Sequence, residues 1–170
     1  GYASFAHLCE NIVLNQCEQS ITPLPLPLSN HTALAHFKYR SREAGQSRHS
    51  LVEAQPSGSG QTSARYRQPV LAMRLDDLVA QFGLPPPTHL KIDVDGAELD
   101  VLQGATRVLA HEGVRTLLVE IDESLADEVM SVLRDAGFSL AERHGHFGKT
   151  GAPWYGLFVR AVANETARSA

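Results

Sequence analysis

The chain has 170 residues, 43% of them hydrophobic and 20% charged, with a net charge of −4. That is the composition of one globular domain, and it excludes fibrous, low-complexity and disordered classes. No apolar run approaches the roughly 18 to 20 residues of a membrane-spanning helix, and Gly1-Tyr2-Ala3-Ser4 lacks the basic-then-apolar order of a signal peptide. A cytoplasmic protein with no membrane partner is therefore expected. A pI of about 6.0 argues against wholesale nucleic-acid binding, which needs a surplus of Lys and Arg. The two cysteines, Cys9 and Cys17, would stand about 12 Å apart on one helix, too far for a disulfide, which suits a reducing compartment.

Phe5, Leu8, Cys9, Ile12 and Val13 fall on one helical stripe and predict an amphipathic helix ending near Asn15. Residues 21–28 carry Pro23, Pro25 and Pro27, so only an edge or short strand is compatible with them. Residues 31–38 predict a short strand. Residues 39–68 read as a polar loop or insertion within a domain spanning 1–163, and 164–170 as a frayed tail. Across 38–67 six basic residues face two acidic ones, a local +4 that leaves −8 for the remainder. A strand at 70–75 and a helix at 75–82 follow, closed by Gly83 and Pro85-Pro86-Pro87. Then come a strand at 89–94, one helix through Val101 to Leu109, a strand at 115–121, and a helix from Leu125 to Gly137. Two final strands, at 138–142 and 155–162, complete the pattern. Alternation of strand and helix through this half predicts an α/β fold, largely parallel, with helices on both faces.

The run Leu90-Lys91-Ile92-Asp93-Val94-Asp95-Gly96 carries the most chemistry. On a strand, Lys91, Asp93 and Asp95 share one face, which is unusual for a central parallel strand. Either Lys91 and Asp93 neutralise each other while Asp95 caps the next helix, or the two aspartates lie at the carboxyl end, where open α/β sheets bind ligands. Gly96 would then let the backbone turn close beside a ligand. Glu120 and Asp122 end the following strand, so two neighbouring strands would present carboxylates to one crevice. Such a cluster suits proton acceptance, stabilisation of a cation, or hard-oxygen metal binding.

Residues 88–122 resemble the signature of the FkbM family of S-adenosylmethionine-dependent methyltransferases. Leu75-Asp76-Asp77-Leu78 resembles its LDDL element, and Asn11-Ile12-Val13-Leu14-Asn15 its N-x-x-L-N helix end. The resemblance implies a Rossmann-like class I methyltransferase sheet of strand order 3-2-1-4-5-7-6, with S-adenosyl-L-methionine as cofactor and methyl transfer, typically to oxygen. Asp93, Asp95 and Gly96 would line the cofactor, and Asp95, Asp93 and Glu120 would serve catalysis. Ser47 falls where the family often has small polar residues near the cofactor. The family's Gly-rich loop after its first strand has no counterpart, since Gly58-Ser59-Gly60 lies in the wrong context. The sheet is thus expected to be incomplete on its N-terminal side, with an exposed edge beside Ile92 open to a partner or a second copy.

His144 and His146, in a predicted loop before Trp154, could serve as a general base or metal pair, although loop histidines are more often solvated. Trp154 and Tyr155 could cover a substrate, or simply open a core strand. The acceptor is expected to be a small molecule or glycan. Two alternatives use the same residues: a non-catalytic α/β binding module, and a metal-dependent hydrolase.

Overall fold

A computed structural model describes residues 1–39, 50–53, 66–145 and 152–161. The elements in chain order are α1 (Tyr2–Leu14), β1 (Ala33–Tyr39), β2 (Ser50–Glu53), β3 (Tyr66–Ala72), α2 (Leu75–Phe82), β4 (His89–Ile92), α3 (Glu98–Gln103), α4 (Thr106–Ala110), β5 (Thr116–Ile121), a 3-10 turn at Glu123–Leu125, α5 (Ala126–Asp135), β6 (Phe138–Gly145) and β7 (Trp154–Arg160). Two sheets result: an antiparallel β2-β1-β3 and a mixed β4-β5-β7-β6.

The mixed sheet carries the core. Its β4 and β5 are parallel, and β7 runs antiparallel to both β5 and β6. Along β5 burial alternates, with Leu117, Val119 and Ile121 at 1% exposure or less and Thr116, Leu118 and Glu120 half-buried. Period-two patterning of that kind means one dry face and one wetter face. On the dry face Leu102, Leu109, Val129 and Leu133 pack against Phe158 and Trp154. Helices α3, α4 and α5 all contribute to the core on this dry face. At the amino end of β5, Arg160 donates to the carbonyls of Val114, Leu109, His111 and Ala136, tying the ends of α4 and α5 to β7.

Several sequence expectations change. Residues 21–28 form no strand, only an isolated parallel bridge between Leu28 and Met73. The stretch 39–68 is not all loop: β2 and the start of β3 lie within it and pair with β1, while 40–49 and 54–65 lie outside the described residues, as do Gly58-Ser59-Gly60 and the 162–170 tail. The expected strand 89–94 stops at Ile92, while its place at the edge of its sheet is the one expected above. Cys17 lies beyond the end of α1, so the two free cysteines do not share a helix.

The single helix expected over 101–109 is broken into α3 and α4 at Gly104-Ala105. A Cβ at Gly104 would come within 2.0 Å of the Ser29 carbonyl oxygen, so the 29–30 backbone lies flush against this corner. The new helix start needs an acceptor for its free N–H groups, and none of its own side chains provides one. Asp76, at the start of α2, supplies it from a distance. Its carboxylate accepts from the backbone N–H of Arg107 and Val108 at 3.1 and 2.9 Å and from the Thr106 hydroxyl at 3.1 Å. Arg74 adds a bond at 3.2 Å, and the Asp76 side chain is 0% exposed. Next to it Asp77 accepts from Thr32 and Arg107, fastening β1 to the same corner.

Candidate active site

Beyond Ile92 the chain leaves the strand and turns sharply. Asp95 and Gly96 both adopt positive φ, 55° and 99°. Gly96 has open space where a Cβ would stand, so glycine is required there by backbone conformation rather than crowding. The turn is braced from within by Glu98, 4% exposed, whose Oε1 accepts from the N–H of Val94 at 3.0 Å and of Gly96 at 3.2 Å. These two bonds pull the main chain out of ladder geometry, which is why Val94 ends 41% exposed instead of sharing the face of Ile92. Sequence reasoning alone misses Glu98. Its signal is the spacing of an acidic residue two positions after Gly96, ahead of an apolar helix.

The turn aims Asp93 across the sheet. Its Oδ2 pairs with Lys91 Nζ at 2.7 Å and accepts from the Tyr155 hydroxyl at 3.2 Å. Tyr155 stands directly opposite Glu120 in the antiparallel β5–β7 register. The β4–β5 register pairs Ile92 with Val119, so its continuation sets Asp93 beside Glu120. Three strands therefore bring Asp93, Glu120 and Tyr155 together at the carboxyl end of the parallel pair, on the wetter face.

The electrostatics follow from that crowding. Desolvation raises the Glu120 carboxyl above its ordinary value, and the negative charges of Asp93, Glu98 and Asp95 raise it further, against the stabilising bond from Tyr155. Desolvation likewise raises Tyr155, helped by Glu120 and Asp93, so the phenol stays protonated and donates to Asp93. Asp95 does not cap α3, whose N-cap residue is Ala97. Asp122 plays a local part instead, capping the following 3-10 turn by accepting from the Ser124 N–H at 2.8 Å, which lowers its carboxyl.

Other expected residues lie apart. His144 belongs to strand β6, not a loop. It sits across from Tyr155 in register, two strand spacings or about 10 Å from β5, and its Nε2 bonds Glu142 at 2.8 Å. Trp154 is core, 5% exposed, with the Arg143 guanidinium 4.0 Å over its ring. Ser47 and His146 lie outside the described residues. Among the described residues no three His, Cys, Asp or Glu side chains are arranged to hold a metal ion, and no helix is long and apolar enough to cross a membrane.

Carboxylates gathered at the ends of neighbouring parallel strands, beside a tight Asp-Gly turn, form a wall suited to a cationic or hydroxyl-rich ligand. No match was found among curated proteins or among solved structures. Residues 3–140 match the Methyltransferase FkbM domain, more than half of the chain and including every residue of the Asp93–Glu120 crevice except Tyr155. The chain belongs to the FkbM methyltransferase family.

Proposed function

We propose that this chain transfers a methyl group from S-adenosyl-L-methionine to an oxygen of a small-molecule or glycan acceptor. The observation that carries the reading is the convergence of Asp93, Asp95 and Glu120 on the carboxyl end of β4 and β5, beside the Gly96 turn.

The donor set fits the cofactor. Its sulfonium and ammonium are cationic and its ribose offers hydroxyls, and three carboxylates within one crevice attract the first and accept from the second. Asp93, Asp95 and Gly96 would hold it, with Ser47 as a further contact. When bound, the cofactor supplies an electrophilic methyl group. The protein's own work is to align the acceptor and to keep the crevice anionic: Asp95 and Asp93 line the pocket, Glu120 is the second carboxylate, and Tyr155, opposite Glu120, holds Asp93.

Calorimetric titration of S-adenosylmethionine and S-adenosylhomocysteine tests the reading directly. Asp95→Asn should abolish methyl transfer and weaken cofactor binding while the fold stays intact, because asparagine tolerates the same left-handed backbone. Unchanged turnover would remove Asp95 from the mechanism. The edge position of β4 favours a second reading, a non-catalytic binding module that pairs through that strand with a second copy. Concentration-dependent association without cofactor affinity would select it.

A further inference from the structure

On the wetter face of the mixed sheet, strand register sets side chains in rows across β4, β5, β7 and β6. Lys91, Leu118, Leu157 and Glu142 form one such row. In the next, towards the carboxyl end of β4, Asp93 continues the line of Glu120, Tyr155 and His144. Contacts confirm which face the outer residues take. Lys91 Nζ lies 5.9 Å from the centre of the Tyr155 ring, and Glu142 bonds His144, while Arg143 between those two turns to Trp154 on the dry face. Leu118 and Leu157 are half-buried and take no part in the core under the other face. An apolar centre is thus flanked by a lysine on one side and a glutamate on the other, 59% and 57% exposed.

We infer that this face is the interface of a symmetric dimer, and that what covers it is a second copy of this chain. A two-fold axis between two such sheets, parallel to the strands and midway between β5 and β7, lays β4 of one copy over β6 of the other. Each row then meets its own reverse. Lys91 faces Glu142 of the second copy, Leu118 faces Leu157 of the second copy, and Asp93 faces His144 of the second copy, each pairing occurring twice. An axis across the strands at the same level would instead set Lys91 against Lys91 of the second copy, a like-charge contact, so charge selects the first arrangement. Packed sheets stand about 10 Å apart and turn by about 30°. Lys91 and Glu142 lie about 7 Å from the axis, one and a half strand spacings, so that turn displaces each pair by about 4 Å, within the span of two long side chains. The pairs already present, Lys91 with Asp93 and His144 with Glu142, join across the axis into a ring in which donors and acceptors alternate. The Asp95-Gly96 turn lies beyond the end of β4, outside the overlap, so the crevice stays open at the rim. Contact through the face is distinct from pairing along the β4 edge, because Glu142 lies on the opposite edge strand, three strand spacings or about 14 Å away.

Sedimentation equilibrium of the full chain over about a thousandfold range of concentration should show monomer and dimer in exchange. Glu142→Lys sets like charges together at two places and should raise the dissociation constant at least about tenfold. Lys91→Glu should do the same. With both substitutions in one chain, opposite charges again meet across the axis, and the constant should return to within about threefold of its original value. A monomer at every concentration overturns the dimer; calorimetric binding of S-adenosylhomocysteine by that monomer would leave the functional reading standing. A dimer indifferent to Glu142→Lys also overturns the face contact and selects the β4 edge. Should the variants fail to fold, isotope-filtered NMR on a mixture of labelled and unlabelled unmodified chain decides. Cross-peaks between Leu118 of one copy and Leu157 of the second copy support the interface, and a dimer without them overturns it.

Discussion

Two groups of carboxylates in this chain have opposite surroundings. Asp76 is fully enclosed and receives two backbone N–H groups, a hydroxyl and a guanidinium. Asp93 and Glu120 stand on the wetter face, where Asp93 has only Lys91 and Tyr155 as side-chain donors and Glu120 has Asp93, Glu98 and Asp95 as close negative neighbours. A buried charge surrounded by donors holds helices in place, since its burial is tolerable only when every lone pair is met. A group of carboxylates short of donors stays reactive, because a cation or a hydroxyl improves its situation. The same residue type thus serves the fold at one end of α2 and, in the proposed function, the chemistry at the end of β4. Count of donors, more than burial, separates the two.

That contrast can be broken most forcefully at Asp76. Asp76→Ala strips the start of α4 of its acceptor and leaves Arg74 without its partner, and it should cost about 3 to 5 kcal/mol, read as a fall in the urea midpoint. Gly104→Ala attacks the same corner through sterics: the added methyl meets the Ser29 carbonyl, and a loss of about 1 to 3 kcal/mol is expected by the same measurement. Glu98→Ala sits between the two centres. It frees the N–H groups of Val94 and Gly96 at a cost of about 1 to 2 kcal/mol, and the loosened turn should weaken S-adenosylhomocysteine binding in calorimetry.

The smallest effect has the opposite sign. Glu120 ionises at higher pH in the folded chain than in the unfolded one, so its carboxylate opposes folding once the pH passes the raised value and is without effect below the ordinary carboxyl range. Glu120→Gln should therefore raise the thermal midpoint at neutral pH, by less than about 1 kcal/mol because the group is partly solvated, and the gain should vanish below about pH 4. A fall in stability at neutral pH would place Glu120 with Asp76 as a structural carboxylate.

Much of the molecule is legible in its residues. Helical spacing locates α1, α2 and α5, and Gly83 closes α2 in the left-handed conformation expected of it. The strings around Asp93, Gly96 and Glu120 point to a carboxyl-end crevice because charge at the end of an apolar strand has no packing reason to be there. Other features are not legible. β2 is hidden in a polar stretch, since an antiparallel edge strand needs little hydrophobicity once β1 offers it a ladder. The break between α3 and α4 is invisible because 101–109 keeps an unbroken helical stripe; what breaks it is the backbone of Ser29, more than seventy residues away in the chain.

By itself the sequence determined local preference: which segments are helical, where apolar faces lie, and where acidic residues fall next to a turn glycine. Tertiary structure decided the partners. It assigned Asp76 to a distant helix start, Asp122 to its own turn, and Tyr155 to Asp93 just past the end of β4. The physical reason is range. Periodicity and capping act over three or four residues, whereas the solvation of a charge depends on whichever donors the folded chain brings within about 3 Å of it.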